Sequence, residues 1–169
     1  MAKKVNPIPE GYHSVTPYLC IKDAARALEF YKESLGAKEV TRMNGPDGKI
    51  AHAEIKLGDS MIMIAEENPQ NEVRSPQSLG GSTVSIFLYV DNVDALFNKA
   101  LSAGAKQVQP LADQFWGDRY GRLTDPFGHS WSLAQHIEDV APEEMGRRAQ
   151  EAAKAAAQRA QAAGHSGQH

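Results

Sequence analysis

The stretch QFWGDRYGRLTDPFGHSWSL, Gln114–Leu133, decides the fold. Trp116–Thr124 is rich in aromatic and β-prone residues, Asp125-Pro126-Phe127-Gly128 is a turn tetrad, and Ser130–Gln135 is a second β-prone run, so the whole reads as a hairpin. Pro126 suits the first central turn position because its φ is fixed, and Gly128 tolerates the positive φ that often closes such turns. An earlier stretch, Leu57–Ile64 (LGDSMIMI), echoes the second half of this hairpin. The echo extends: Thr16–Asp23 aligns with Ser85–Asn92 at an offset of 69 (85 − 16), Leu35–Val40 with Ala103–Val108 at 68 (103 − 35), and Gly58–Met61 with Gly128–Trp131 at 70 (128 − 58). Three nearly constant offsets in the same order mark a duplicated module.

Each copy reads as βαβββ. In the first, Val15–Ile21 alternates as a strand, Lys22-Asp23 supplies an N-cap, and Ala24, Leu28, Tyr31 and Leu35 recur at helical spacing up to Gly36. Strands follow over Ala37–Met43, Ile50–Leu57 and Ser60–Ala65, the first two separated by the turn sequence Asn44–Gly48. In the second copy, Ser82–Val90 is a strand, Val93, Leu96, Phe97, Ala100 and Leu101 mark a helix ended by Gly104, and Lys106–Gln109 opens the strand before the hairpin. The chain therefore divides into a flexible leader (1–12), a first module (13–68), a Pro- and Gly-bearing linker (69–82), a second module (83–138), and an Ala-rich C-terminal helix with a disordered tail (139–169). Pro142-Glu143-Glu144 looks like the start of that helix, and Gly164–His169 is expected to be disordered.

Composition narrows the function. The chain has 169 residues with 41% hydrophobic and 23% charged side chains, ordinary for a globular protein with one substantial core. A net charge of −3 offers no footprint for nucleic acid and no basic patch for a membrane. One cysteine, Cys20, excludes an intrachain disulfide framework, and no apolar run approaches the ~20 residues a membrane helix needs. A reduced, cytoplasmic setting is expected.

Two tandem βαβββ modules with a D-P-x-G turn before the last strand resemble the vicinal oxygen chelate superfamily, which includes glyoxalase I, bleomycin-resistance proteins and extradiol dioxygenases. The resemblance covers roughly Tyr12 to Asp139, and His52–Ser60 with Gln114–Arg119 is similar to the PhnB-like branch. It implies an α+β fold and a homodimer. Metal-dependent members carry four ligands on the first and last strands of their two modules. Counting from the helix start and from the glycine that opens each last strand puts those positions at Thr16, Ile62, Ser85 and Ser132. Three hydroxyls and a hydrocarbon do not make an octahedral divalent site, so no metal and no cofactor are expected.

What remains is a cavity with polar and aromatic walls. The parity set by Thr16 and Ser85 puts Tyr18, Cys20, Phe87, Tyr89, Ser130, Ser132 and Ala134 on the cavity face, and Leu19, Ile21, Ile86, Leu88, Trp131 and Leu133 under the helices. Trp116, Asp118, Arg119 and Tyr120 are read as a mouth that clamps a ligand, or as an ion pair covering an apolar edge. His52 and Glu54, two apart on one strand, are either a general-base pair or part of a solvated face completed by Lys56. Two functions stay open. One is a metal-free protein that binds, and so sequesters, a small aromatic or cationic compound. The other is a glyoxalase-like lyase or isomerase acting on a small carbonyl substrate.

Overall fold

Alternation in the first repeat becomes a sheet with one buried face. In the computed structural model, which describes residues 5–165, this module runs β1 (Tyr18–Ile21), α1 (Ala24–Leu35), β2 (Lys38–Asn44), β3 (Ile50–Leu57) and β4 (Ser60–Glu66). Its strand order is β1-β4-β3-β2, with β1 parallel to β4 and the remaining pairs antiparallel. Leu19, Ile21, Ala53, Ile55, Leu57, Ile62 and Ile64 are buried together, as are Ala24, Ala27, Leu28, Tyr31 and Leu35 of α1. Each fully buried large side chain in this layer contributes about 1.5–3 kcal/mol relative to exposure.

The second module repeats the plan: β5 (Ser85–Tyr89), a helix at Val93–Ser102, then β6 (Lys106–Asp113), β7 (Asp118–Thr124) and β8 (Ser130–His136), ordered β5-β8-β7-β6. Between the modules lie a 3-10 turn at Pro69–Asn71 and a one-turn helix, α2 (Pro76–Leu79), so the Val93–Ser102 helix is α3. The final helix, α4, spans Pro142–His165. It therefore runs into the segment expected to be disordered, and residues 166–169 of that segment lie outside the described residues.

Register shows the duplication more sharply than the sequence does. Tyr18 pairs with Met63 and Phe87 with Ser132, so both partners are displaced by 69 (87 − 18 and 132 − 63). The helix caps follow suit. Asp23, the cap expected from sequence for α1, sits at φ 68° and makes no side-chain cap. Glu66 does that work: its carboxylate accepts from the Asp23 and Ala24 backbone N–H groups at 2.9 and 2.8 Å. Gln135, again 69 residues on (135 − 66), accepts from the Val93 N–H at 3.3 Å, alongside Asn92, which accepts from Ala95 N–H at 3.0 Å.

The two modules share one core on their helix sides. α1 packs on α3, and Tyr31 of α1 meets Trp131 of β8 with ring centroids 5.4 Å apart. Asp125, at the head of the quoted turn, joins them: its Oδ2 accepts from Tyr31 Oη at 2.7 Å and Trp131 Nε1 at 2.9 Å. Its Oδ1 accepts from the Phe127 and His129 N–H groups, both at 2.9 Å. His129, read from sequence as facing the helix side, is buried and places Nε2 3.2 Å from the Cys20 carbonyl oxygen.

The linker has its own latch. Glu67 Oε2 accepts from Ser78 Oγ at 2.6 Å, Ser75 Oγ at 2.8 Å and Ser75 N–H at 3.1 Å, and Ser75 is fully buried. Those donors, with Lys22 nearby, hold the Glu67 carboxyl at about 2, against a usual 4.5. Because the folded value is depressed, this stabilisation is complete above pH ~4.5 and disappears as pH falls toward 2. Glu67→Gln is expected to cost about 1–2 kcal/mol at neutral pH and to flatten the acid limb between pH 4.5 and 2. Urea denaturation at stepped pH measures both; an unchanged acid limb would place the carboxylate outside the latch.

Candidate functional site

Side chains of successive residues leave a strand on opposite faces, so burying one face on a helix leaves the other open. Both sheets here have such an open face, and it carries the chemistry. On the second sheet it is ordered in rows across the strands. Gln109, Arg122, Ser132 and Phe87 form one row, Tyr120, Ala134 and Tyr89 the next, and Asp118 with His136 a third; on the other side lie Thr124, Ser130 and Ser85. Phe87 and Tyr120 stack with centroids 5.6 Å apart and planes 19° apart, Phe87 meets Tyr89 at 5.0 Å, and Trp116 meets Tyr120 edge-on at 5.8 Å. Phe87 and Tyr89 stay 48% and 58% exposed. Four aromatic rings form a platform, Phe87 and Tyr89 exposed and Tyr120 and Trp116 half-buried.

Hydroxyls line one end of the platform. Ser132 Oγ lies 3.2 Å from Tyr120 Oη and 3.1 Å from Ser85 Oγ, and Ser130 Oγ donates to Ser85 Oγ at 3.2 Å. A carboxylate closes the other end. Asp118, 2% exposed, accepts from Tyr89 Oη at 2.8 Å and Trp116 Nε1 at 3.0 Å, while His136 Nδ1 lies 2.8 Å from its second oxygen. Burial alone would raise the Asp118 carboxyl; its partners, His136, Tyr89 and Trp116, outweigh that and hold it low. The same contact raises His136, with Asp139 adding to it at 3.0 Å from Nε2.

The first sheet presents a hydrogen-bonded chain on its open face. Tyr12 donates to Glu54 Oε2, Glu54 Oε1 lies 3.1 Å from His52 Nε2, and His52 Nδ1 lies 3.4 Å from Tyr18 Oη. The His52 and Glu54 side chains are 22% and 15% exposed, so the pair is not the fully solvated face that alternation alone allows. Tyr12 first, then His52, lowers the Glu54 carboxyl. A groove of about 920 Å³ touches both modules, with Tyr18 and Cys20 of β1 and Ser85 and Phe87 of β5 in its wall. Cys20 is no activated nucleophile, because burial, then Glu67 and Glu66, pushes its thiol up.

Three expected site residues sit elsewhere. Ile62 is in the core, 3% exposed; the residue opposite Tyr18 on the open face is Met63. Arg119 points to the helix side, where it forms a two-pronged pair with Asp94 (both contacts 2.7 Å) and reaches Asp113 at 2.9 Å. The ion-pair reading holds, but with those carboxylates and not with Asp118. Thr16 precedes β1, and its hydroxyl reaches only the His13 carbonyl at 3.5 Å. Tyr18, Ser85, Phe87, Tyr89, Trp116, Tyr120 and Ser132 all lie on or beside the open faces. Sequence reasoning missed Tyr12, Arg122 and His136. Parity from Tyr120 and Ser132 would have found the last two.

A resident divalent metal fits this donor set poorly: among the described residues no three His, Cys, Asp or Glu side chains come together to hold one. Nor is any helix of the described residues long and apolar enough to cross a membrane.

Known proteins resemble this arrangement. An uncharacterised Mycobacterium bovis protein, Mb0911c, is 44% identical over 135 residues, covering 78% of this chain and 89% of its own. The solved structure of PA1353 from Pseudomonas aeruginosa superposes with a TM-score of 0.63 at 25% identity, covering 75% of this chain and 99% of that one. The PhnB protein of Bacillus cereus shares the fold at 20% identity with a TM-score of 0.58, over 73% and 99% of the two chains. The family model for the glyoxalase/bleomycin resistance protein/dioxygenase superfamily matches residues 11–133. With that match running from before β1 into β8, and so over nearly all of both βαβββ modules, the chain belongs to the glyoxalase/bleomycin resistance protein/dioxygenase superfamily.

Proposed function

We propose that the protein is a metal-independent small-molecule-binding protein of the cytoplasm, acting as a homodimer whose open sheet faces close over the ligand. The observation that carries this reading is the aromatic platform of Phe87, Tyr89, Tyr120 and Trp116, with Phe87 and Tyr89 exposed. Exposed rings backed by a fixed hydrogen-bond network are what a planar ligand stacks on, and a few convergent polar groups suit a small-molecule cleft. Half-open aromatic faces on two sheets of one chain also favour a second copy as the cover.

A second reading, a glyoxalase-like lyase or isomerase acting on a small carbonyl compound, draws support from the Tyr12–Glu54–His52–Tyr18 chain. There, Glu54 would orient His52 to take a proton from carbon next to the carbonyl.

Native mass spectrometry at micromolar concentration tests the first reading. The expected result is a species of twice 18.4 kDa that retains a small organic adduct, with far less than one equivalent of zinc, nickel, manganese or iron by elemental analysis. Trp116→Ala should weaken that adduct by about 2 kcal/mol while leaving the melting temperature nearly unchanged. Stoichiometric metal, with destabilisation by a chelator, would overturn the metal-independent reading.

A further inference from the structure

Arg122 is a half-buried charge on the open face of the second sheet, and it has no counterpart. Among the described residues three arginines are half-buried: Arg119, Arg122 and Arg148. Arg119 holds Asp94 and Asp113, and Arg148 holds Glu138 and Glu144. The Arg122 side chain makes no hydrogen bond or ion pair with any described residue. The other two half-buried arginines are both paired with carboxylates, and a half-buried guanidinium gains from such a partner because pairing offsets its loss of water.

Its surroundings say what would complete it. Arg122 stands opposite Ser132 on the open face, in the same row as Phe87, two strands away and so about 10 Å across. Tyr120 and Thr124 flank it along β7. Ser132, directly opposite, is joined through its hydroxyl to those of Tyr120 and Ser85, and Ser85 to Ser130, so this face holds hydroxyls that can donate to an oxyanion. The carboxylate of this face, Asp118, is two rows along, in contact with Tyr89, Trp116 and His136. It therefore offers little to a cation.

We propose that Arg122, with Ser132 and its neighbouring hydroxyls, is an anion-recognising subsite, and that the ligand is a planar aromatic acid whose ring lies on Phe87 and Tyr120. This rests on the binding reading above and gives it a sign: the compound is anionic, not cationic. A carboxylate, sulfonate or phosphate would meet the guanidinium by two parallel hydrogen bonds.

Isothermal titration of the full-length protein with 2-naphthoate, 2-naphthylmethanol and 2-naphthylmethylammonium separates the possibilities, because the three share a ring system and differ in charge. The unsubstituted protein should bind the acid about tenfold or more tighter than the alcohol, with the ammonium weakest and with acid affinity falling as salt rises. Arg122→Gln should bring the acid down to the level of the alcohol and leave the alcohol unchanged. Equal binding of acid and alcohol by the unsubstituted protein would overturn the Arg122 subsite and leave the binding cleft standing, and that comparison needs no variant. Failure of all three probes at millimolar concentration would overturn the binding reading and the subsite with it. A loss of dimer affinity in Arg122→Gln with naphthoate binding intact would also overturn the subsite, assigning Arg122 to a carboxylate of the second copy.

Discussion

Asp125→Ala is expected to lower stability by about 3–5 kcal/mol, the larger of the two strongest substitution effects, because one carboxylate serves four donors in a buried place. Tyr31 Oη and Trp131 Nε1 are on fully buried side chains and share Asp125 Oδ2. Alanine leaves both donors without a partner, at about 1–3 kcal/mol each. It also frees the Phe127 and His129 N–H groups that shape the turn, both on buried residues. Three variants apportion the loss when compared. Tyr31→Phe removes one donor together with its need for an acceptor and should cost about 1 kcal/mol. Asp125→Asn keeps an oxygen for the turn but turns an NH2 toward Trp131, whose indole can only donate, so it should fall between the other two. Urea denaturation of all the variants gives the order; a cost below 1 kcal/mol for Asp125→Ala would show that the turn does not hold the modules together.

That turn also shows how far sequence alone reaches. The D-P-F-G tetrad announces a hairpin, and the offsets near 69 announce the duplication, because local turn chemistry and strand alternation are short-range properties. Asp125's reach to Tyr31, 94 residues away, leaves no mark in either pattern. The misplacement of Ile62 has a definite cause. Two residues, Gly58 and Asp59, connect the paired Leu57 and Ser60 in the first module, whereas five connect Thr124 and Ser130 in the second. Counting forward from the turn glycine therefore slips by one in the first module, and a slip of one moves a side chain to the other face. The neighbouring arginines fail for a related reason. Arg119 and Arg122 are chemically alike and three residues apart, so only the phase of β7 sends one to α3 and the other to the open face. The Asp23 cap is legible as a residue type, but Asp23 takes a left-handed backbone at φ 68° and makes no cap, while a glutamate 43 positions away holds the Asp23 and Ala24 N–H groups at the helix start.

Gly117→Ala is the second large effect, expected to cost about 3 kcal/mol and to lower the melting temperature by about 6–12 °C. Gly117 sits at φ +96°, and a Cβ placed there would lie 2.1 Å from the Glu138 carbonyl oxygen. The obstacle is backbone, so no rotamer change relieves it. It is also held in place: the Ile137 and Glu138 N–H groups both donate to the Gly117 carbonyl, at 2.9 and 3.0 Å. Accommodating a methyl therefore means breaking those hydrogen bonds and lifting the chain as it leaves β8, beside His136. Trp116 precedes the glycine and Asp118 follows it, so the displacement would pass directly into the Trp116–Asp118–His136 network at the end of the aromatic platform. Ligand affinity should fall together with stability, unlike in Trp116→Ala, where affinity alone should drop. Gly146→Ala supplies the contrast. Gly146 lies inside α4, and a methyl added there would meet nothing within 4 Å, so the same chemical change should stabilise by about 0.5–1 kcal/mol through helix propensity. Calorimetry of the pair should therefore move in opposite directions. Equal, small shifts would mean that the Glu138 backbone yields freely and that the Trp116-Gly117 corner does not position the site.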